Sequence, residues 1–480
     1  MPGWLYEKLQ ENEGVKILNV ERGTLPLSSV IEEALILSAS YRKRPRPILV
    51  IKKNLYNAQR LYERIAGFLD TDECALFGAD ESLRVEAIAS SPEMTAMKTD
   101  TLSSLLKNPN QIVVTCPSAY LRHLPSPEVF RSSCITLHVG DEVTMEELKQ
   151  KLVLGGYQQT SHIDQPLCFA ARGGIVDIYS INYDKPLRIE FFDTEIESIR
   201  FFDIASQKTV ETLQEAEIVP ASELLFTDED VQEIRQKTEA LLKEHKKQMS
   251  GEIETDLMTL DAHISQRRLY PYTALLSHSN GIEDYMGLPL IVLSDEESIQ
   301  ENVSKLIQDT TEYISEMSQE GKMIPKYAVY REYSRCGKNC RKIKEDPFED
   351  NITGIEEVHL PNEMLSIKLR MIHRAEPVIL AVTEKETERI LEACVEERIP
   401  YSLLSDDGTP VSGINVTVLP MAQGFAIPQD HITVYTSAEL FAVHLHKGRY
   451  ENKFRNAEVI HSYHELEPGD YIVHAQYGVG

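Results

Sequence analysis

The pattern of apolar residues predicts an α/β unit at the start of this chain of 480 residues. Continuous apolar runs at 47–51 and 111–116 are typical of strands in a parallel sheet that is buried on both faces. Between these runs, apolar residues at helical spacing follow Asn54, which predicts a capped helix. The run 16–20 predicts one more strand. Together these elements predict an α/β unit that extends to about residue 119.

The segment 172–202 carries the most informative pattern of the chain. Its β-branched and aromatic residues predict short strands that are separated at 182–184 and at 193–194. In the run 187–192, alternation predicts one apolar face and one mixed face, and the mixed face carries Arg188, Glu190 and Phe192. An aromatic residue beside charged residues on an exposed face is typical of a protein-binding patch. The alternative is that Phe192 folds over the end of a hairpin.

The rest of the chain alternates between helical and strand patterns. Helix starts are predicted at the capping residues Ser28 or Ser29, Thr227 and Thr383. The helix that begins at Thr227 is predicted to run to about Met249. Buried strands are predicted at 288–294, 377–382, 416–419 and 431–435. This order predicts a helical return to the first unit, followed by a second α/β unit.

The charge balance argues against direct nucleic-acid binding, because 49 basic residues face 76 acidic ones and the net charge is −27. Such a surface repels a phosphate backbone. No run of about 18 apolar residues is present, so no membrane span is expected. The N-terminus lacks the basic and apolar regions of a signal peptide. We therefore expect a cytoplasmic protein.

The seven cysteines are scattered and odd in number, which argues against a disulfide framework and for a reducing compartment. Cys336 and Cys340 are close together, but a zinc site would need two more ligands at workable spacing. The only nearby candidates, His359 and His373, pair with no further His or Cys. We expect no metal site, and no hydrolase signature is present.

The segment 172–202 resembles domain 2 of the excision-repair protein UvrB and, more closely, the equivalent domain of the transcription-repair coupling factors. The shared pattern stands here as RGG at 172–174, DIY at 177–179, RIEFF at 188–192 and EIESIR at 195–200. The resemblance implies docking onto UvrA, with Arg172, Arg188, Glu190 and Phe192 as contacts. It also implies that the intact protein masks this surface with its C-terminal domain. For Arg172, the alternative is an ion pair with Asp177 or Glu190 inside the sheet.

The same resemblance extends over nearly the whole chain. Further matches stand at 77–80, 90–93, 423–425, 439–441 and 466–480. The last of these resembles the first strands of the RNA-polymerase-interacting domain, with Tyr477 in place of a histidine. It implies that the chain is a fragment and that an ATP- and Mg²⁺-dependent motor lies beyond it. One departure is Leu167, which follows Pro166 where the family usually has glycine, so the turn there is expected to differ.

A working nucleotide site is not expected, because the sequence lacks the phosphate-binding motif G-x-x-x-x-G-K-[ST]. By the resemblance, the equivalent stretch is 21–29, which keeps Gly23 and Ser28 but has no lysine and contains a proline. Asp295 and Glu296 resemble the carboxylate pair that holds Mg²⁺ in ATPases. Without the phosphate-binding loop, we interpret them as a helix cap or a surface pair.

These observations predict an α/β multidomain protein. A degenerate P-loop-type domain carries an inserted β-rich unit similar to UvrB domain 2, and a small α/β domain and the start of an SH3-like β-barrel follow. The predicted boundaries are 1–119 and 211–345 for the two parts of the first domain, 120–210 for the insert, 346–445 for the small domain, 446–465 for a linker and 466–480 for the truncated barrel.

The resemblance implies a non-catalytic adaptor, without cofactor, that recruits UvrA to stalled RNA polymerase in transcription-coupled nucleotide-excision repair. The intact protein would be an ATP-dependent DNA translocase that displaces the polymerase, and DNA would be bound only through its motor. One alternative is a UvrB-type helicase subunit that has lost its ATP site. Another is a transcription regulator that acts only through its polymerase-binding end.

Overall fold

A computed structural model describes residues 1–20, 24–89, 92–333, 340–346, 351–405 and 408–442, and the backbone of two short strands near residue 480. The first segment contains α1 (Gly3–Leu9), α2 (Glu13–Asn19), β1 (Thr24–Leu27), α3 (Val30–Lys43), β2 (Ile48–Ile51), α4 (Leu55–Ile65), β3 (Cys74–Phe77), α5 (Leu83–Ala89), α6 (Pro92–Lys107), β4 (Ile112–Thr115), α7 (Pro117–Tyr120) and α8 (Pro127–Ser132). The second segment contains β5 (Ile135–His138), α9 (Met145–Leu154), β6 (Gln158–Gln159), β7 (Cys168–Arg172), β8 (Ile175–Ile178), β9 (Leu187–Phe192), β10 (Glu195–Phe202), β11 (Thr209–Leu213) and β12 (Glu215–Ile218).

The chain then returns to helices. This third segment contains α10 (Asp228–Glu244), α11 (Gly251–Asp261), the 3-10 helix Arg267–Leu269, α12 (Tyr270–Thr273), α13 (Ile282–Met286), β13 (Leu290–Ser294), α14 (Glu296–Gln319) and β14 (Cys340–Glu345). The last segment contains β15 (Glu356–Glu357), α15 (Leu365–Ile372), β16 (Pro377–Val382), α16 (Glu384–Glu396), β17 (Tyr401–Leu403), β18 (Gly413–Val418), β19 (Phe425–Ile427), the 3-10 helix Pro428–Asp430, β20 (Ile432–Thr436), α17 (Ser437–Phe441), β21 (Val473–His474) and β22 (Gly478–Val479).

The first α/β unit is built from the first and third segments. Its six strands are all parallel and lie in the order β1-β14-β13-β2-β4-β3. Strands β2 and β4 are buried at every position, as their continuous apolar runs predict. The predicted strand at 16–20 is wrong, because residues 16–19 belong to α2 and Val20 follows its C-terminus. Asn12 caps this helix, and Val15 and Leu18, three residues apart, are buried on one face.

The β-rich unit (β5–β12 with α9) is inserted into the first unit. Six of its strands form a sheet in the order β11-β10-β9-β8-β7-β6, and β12 pairs with β5. The predicted breaks at 182–184 and 193–194 separate β8, β9 and β10, as expected. Strand β11 crosses the boundary predicted at residue 210. The β-rich unit therefore continues to β12 before the chain returns to helices.

The second α/β unit (β15–β20 with α15–α17) has the strand order β15-β19-β20-β16-β18-β17. It packs against the first unit through an edge-to-face contact of Phe68 with Phe425, whose ring centroids are 6.3 Å apart. The predicted strand at 377–382 and the capping box at Thr383 are both confirmed.

Helix α10 is shorter than expected, ending at Glu244 instead of Met249. Lys246 adopts a left-handed φ of 53°, and the amide of Lys247 donates to the carbonyl of Leu242, which closes the helix. Within the described residues, no helix is both long and apolar enough to cross a membrane.

The mixed α/β class is confirmed. In the region predicted to begin a barrel, β21 and β22 form an antiparallel pair, and the other residues of 466–480 lie outside the described part of the chain.

Candidate partner-binding surface

Phe192 stands at the end of β9, where the β9–β10 hairpin turns through Asp193 with a left-handed φ of 57°. The residue is 74% exposed. The loop that follows β5 holds this turn through backbone hydrogen bonds. Gly140 donates its amide to the carbonyl of Ile196, and Val143 donates to that of Thr194, each at 2.8 Å. The hairpin therefore presents a large apolar side chain to solvent from a braced backbone.

Arg188 lies on the same face of the sheet, but it is directed into the sheet. Its Nε and Nη2 donate to Oδ1 and Oδ2 of Asp177 at 2.7 and 2.8 Å, and Nη2 also donates to Gln207 at 2.9 Å. The guanidinium stacks on the Phe202 ring, 4.3 Å from its centroid. The hydrogen bonds to Asp177 raise the pKa of Arg188. With 10% of its side chain exposed, Arg188 offers little surface to a partner.

Glu190 is paired in a similar way. Arg200 on β10 donates to both of its carboxylate oxygens, with Nη1 to Oε2 at 2.8 Å, and the Ser198 hydroxyl donates to Oε2 at 2.8 Å. The carboxylate thus has three donors from the adjacent strand. Glu190 remains half-buried, and its charge is offset within the sheet.

Arg172 has a different environment from Arg188. It ends β7 next to Gly173, which adopts a left-handed φ of 58° in the two-residue turn to β8. Its side chain is 62% exposed, and its Nη2 lies 3.9 Å from Asp177 Oδ2, a long ion-pair distance. Arg172 therefore approaches Asp177, the partner considered as its alternative, but leaves most of its guanidinium in solvent.

The four predicted contact residues lie on one face, which we call the docking face (Arg172, Arg188, Glu190, Phe192). Cross-strand pairing aligns Arg172 with Ile175 and Ile175 with Glu190, and Phe192 lies two residues beyond Glu190 on β9. Arg200 was not among the predicted residues, but its position opposite Arg188 on β10 places it on the same face. Alternation within the EIESIR motif could not identify it, because a β-bulge between Ile196 and Ser198 reverses the faces of the residues that follow.

The stretch predicted to be a degenerate nucleotide site is filled by the chain itself. Gly23 lies outside the described residues. Ser28 donates both its amide and its hydroxyl to Oε2 of Glu32, at 2.7 and 2.9 Å, while Ser29 caps α3. The other Glu32 oxygen accepts from the Thr353 hydroxyl. The N-terminus of α3, where a phosphate would bind in a P-loop protein, is therefore occupied by a buried carboxylate.

A second buried group fills the carboxyl edge of the first sheet. Strands β13 and β2 are neighbours, and the chain continues from β2 towards β3 but from β13 towards β14, in opposite directions along the sheet. The crevice between two such strands is where α/β proteins bind ligands. Here the ammonium of Lys52 donates to Glu33 at 2.8 Å and to Ser294 and Glu345 at 2.7 Å. Coulombic attraction to Glu33 and Glu345 outweighs burial and raises the pKa of Lys52.

Asp295 and Glu296 have structural roles. Asp295 is the N-cap of α14, with a left-handed φ of 66°, and it accepts from the amide of Ser298. Glu296 forms an ion pair with Lys342. Of the two interpretations, a helix cap or a surface pair, the helix cap describes Asp295.

Among the described residues, the cysteines are not part of a metal site. No group of three or more His, Cys, Asp or Glu within the described residues has a geometry that could hold a metal ion. Among the described cysteines, five carry free thiols: Cys74, Cys116, Cys134, Cys168 and Cys394. Cys340 is disulfide-bonded, which the expectation of a reducing compartment from the cysteine pattern did not anticipate. Cys336 lies outside the described residues.

Comparison with known proteins places the docking face within a recognised module, because residues 135–224 match the UvrB interaction domain. Over 472 residues, the chain is 26% identical to the transcription-repair-coupling factor of Bacillus subtilis (strain 168). The aligned region covers 92% of this chain and 40% of that protein. It is also 26% identical over 479 residues to that of Staphylococcus haemolyticus (strain JCSC1435), covering 93% and 40%. The chain thus spans about 40% of the length of these relatives. It is homologous to the transcription-repair-coupling factors, in their N-terminal portion, and contains a UvrB interaction domain.

Proposed function

We propose that this chain is an adaptor in transcription-coupled nucleotide-excision repair and that its β-rich unit recruits UvrA to stalled RNA polymerase. The observation that carries the proposal is that Phe192, at the end of a hairpin within the match to the UvrB interaction domain, is 74% exposed. Exposed aromatic residues beside arginine are typical anchors of protein interfaces.

Within the docking face, we assign direct contact to Phe192 and Arg172. Phe192 supplies apolar surface, and the exposed guanidinium of Arg172 can pair bidentately with a carboxylate of the partner. Arg188 and Glu190 are assigned a positioning role, because their charges are already satisfied by Asp177 and Arg200. This division refines the four contacts expected from the sequence.

The adaptor is proposed to be non-catalytic. Glu32 at the N-terminus of α3 and the Lys52 network at the sheet edge both support this, because a nucleotide phosphate would meet a buried carboxylate and a filled crevice. Hydrolysis of ATP with Mg²⁺, translocation on DNA and displacement of the polymerase are proposed for the motor of the full-length protein. RNA polymerase binding is proposed for the domain that begins near residue 466.

The division into domains is part of the same proposal. We keep the two α/β units, the inserted β-rich unit and the start of the polymerase-binding domain as separate functional parts. The family match at 135–224 and the pairing of β5 with β12 support extending the β-rich unit beyond residue 210.

The direct test is a titration of the chain with UvrA from the same organism, by calorimetry or biolayer interferometry. We expect saturable binding, with a Kd of roughly micromolar or better, and at least a tenfold loss in the variant Phe192→Ala, Arg172→Glu. Val210→Ala is the matched control, since Val210 is 48% exposed on β11 of the same sheet. Equal affinity of the double variant and the wild type would refute the assignment of the docking face.

The same preparations separate the adaptor from its alternatives. ATP turnover by this chain alone would favour a UvrB-type helicase subunit. Retention of RNA polymerase without any binding of UvrA would favour a transcription regulator.

A further inference from the structure

A cavity of about 400 Å³ lies between α4 of the first unit and the second α/β unit. One wall carries Arg60 and Arg64, and the opposite wall carries His359, Asn362 and Gln423. Its volume is within the range of small-ligand sites. It lies away from the docking face and from the sheet edge that Lys52 fills.

The two arginines are four residues apart on α4, so their side chains share one face of the helix. Neither forms an ion pair with any described residue. Arg64 donates Nε to Gln423 Oε1 at 2.7 Å and Nη1 to the carbonyl of Arg60 at 2.7 Å. Arg60 stacks on Tyr56, with its guanidinium 5.7 Å from the ring centroid. Two cations therefore face one cavity without a described counter-charge in contact.

The carboxylates around the cavity are engaged elsewhere. Glu439 accepts from the amide of Gly424 at 3.0 Å and from the amide and hydroxyl of Thr436 at 2.8 Å. Glu357 accepts from Gln423 Nε2 at 2.9 Å and lies 4.0 Å from His359. These acids form no ion pair with either arginine, although Glu357 attracts Arg64 through space.

Lys368, the third cation of the cavity wall, is also committed. Its Nζ donates to the carbonyls of Glu439 at 2.8 Å and Leu440 at 3.0 Å, and its side chain is buried. It can add positive potential but has little freedom to move towards a ligand. The charged donors that remain for a ligand come from Arg60 and Arg64.

The electrostatics of the pair are unfavourable without an anion. Burial lowers the pKa of Arg64, and the neighbouring charge of Arg60 lowers it further. Two half-buried guanidinium groups on one helix face repel each other. This positive site lies in a chain whose net charge is −27. Glu63 and Glu357 offset part of the charge of Arg64 at a distance, but no carboxylate within the described structure forms an ion pair with either arginine.

We infer that this cavity binds a small oxyanion, a phosphate or carboxylate ligand held by the guanidinium groups of Arg60 and Arg64. Planar guanidinium groups suit the oxygens of either group, and His359 and Asn362 supply further polar contacts on the opposite wall. Because the walls come from two units, a bound anion ties α4 to the second α/β unit. The small domain thereby gains a ligand-dependent contact with the rest of the chain.

The test is calorimetric titration of the chain at low ionic strength with inorganic phosphate, pyrophosphate and citrate, together with melting curves. We expect saturable binding of at least one anion and a rise in Tm with its concentration. Arg60→Gln, Arg64→Gln should weaken binding at least tenfold. Arg84→Gln is the control for loss of one charge, because Arg84 is already paired with Glu316. Comparison of the three anions decides between a phosphate and a carboxylate ligand.

Arg60→Gln alone provides a second variant if the double variant folds poorly, since Arg60 only stacks on Tyr56 and accepts at its carbonyl. Arg64→Lys tests the fork geometry while keeping the charge. The inference is overturned if none of the three anions binds saturably to the wild type, or if binding persists unchanged in Arg60→Gln, Arg64→Gln.

Discussion

The guanidinium of Arg188 on β9 forms a two-point ion pair with the carboxylate of Asp177 on β8, at 2.7 and 2.8 Å. Both side chains are almost completely buried, with 10% and 6% exposed. The pair lies beneath Arg172, which reaches towards the same carboxylate from the edge of the sheet. An ion pair within the sheet therefore fixes the surface from which Phe192 and Arg172 face solvent.

Replacing Arg188 by alanine should destabilise the chain by about 3 kcal/mol, because the buried carboxylate of Asp177 would lose its main counter-charge. Urea unfolding measures the difference. Arg172→Ala is the control, and its effect should be below about 1 kcal/mol, since its ion pair is long and exposed. If Arg188→Ala were as stable as Arg172→Ala, the positioning role of Arg188 would be refuted.

A double-mutant cycle tests the same pair directly. Asp177→Ala with Arg188→Ala should be less destabilised than the sum of the two single variants, because the double variant leaves no buried charge unpaired. We expect a coupling of about 1–3 kcal/mol. Additive effects would mean that the two side chains do not stabilise each other.

The docking face shows how far a sequence pattern reaches. Period-two alternation predicted that Arg188, Glu190 and Phe192 share one face, and the register of β9 agrees. It could not distinguish a contact residue from a positioning residue, because that depends on Asp177 and Arg200 from the neighbouring strands. Register decides which residues face each other across two strands, and it cannot be read from the sequence of one strand alone.

One local error shows how packing decides. The run 16–20 is as apolar as a short strand, but a capping residue upstream and contacts with α3 make residues 16–19 part of a helix. At Leu167, where the family usually has glycine, leucine adopts a left-handed φ of 67° with its side chain buried, and a difference from the family's turn stays a prediction. Leu167 packs in the core of the β-rich unit, and this packing offsets the steric cost of a left-handed backbone at a residue other than glycine.

Lys52 should be a stability residue of the first unit. Lys52→Met removes the cation that pairs with Glu33, whose side chain is 2% exposed, so the free energy of unfolding should fall by about 3–5 kcal/mol. Lys52→Met with Glu33→Leu should recover most of this loss, because the buried charge is then gone as well. Chemical denaturation followed by circular dichroism measures both variants. A double variant as unstable as the single one would contradict this explanation.

The chain should not bind nucleotide. Titration with ATP and Mg²⁺ should give no saturable signal up to about 1 mM, since Glu32 occupies the N-terminus of α3 and Lys52 fills the adjacent crevice. Glu32→Ala should not create binding, because the lysine and the second glycine of a phosphate loop are still missing. Competition with a fluorescent ATP analogue is a sensitive readout. Displaceable binding by the wild type would contradict the proposal that this site is inactive.

Stability at acidic pH should depend strongly on Glu86. Burial alone would raise the pKa of Glu86, but the charges of Arg122 and Lys98 and the two hydrogen bonds from Arg122 lower it to about 2. A folded-state pKa below the unfolded one stabilises the fold above about pH 4.5, and this contribution is lost as the pH falls towards 2. A lowering of this size corresponds to roughly 3 kcal/mol.

Glu86→Gln should therefore be less stable at neutral pH, and its unfolding free energy should fall less steeply below about pH 4.5 than that of the wild type. Glu233→Gln is the matched control. Hydrogen bonds from Lys237 and Ser277 also lower the pKa of Glu233 to about 2, but this carboxylate is near the surface. At about 0.5 M NaCl, screening should remove most of the effect of Glu233→Gln and little of that of Glu86→Gln. Equal salt sensitivity of the two variants would show that solvent reaches the Glu86–Arg122 pair in the folded chain.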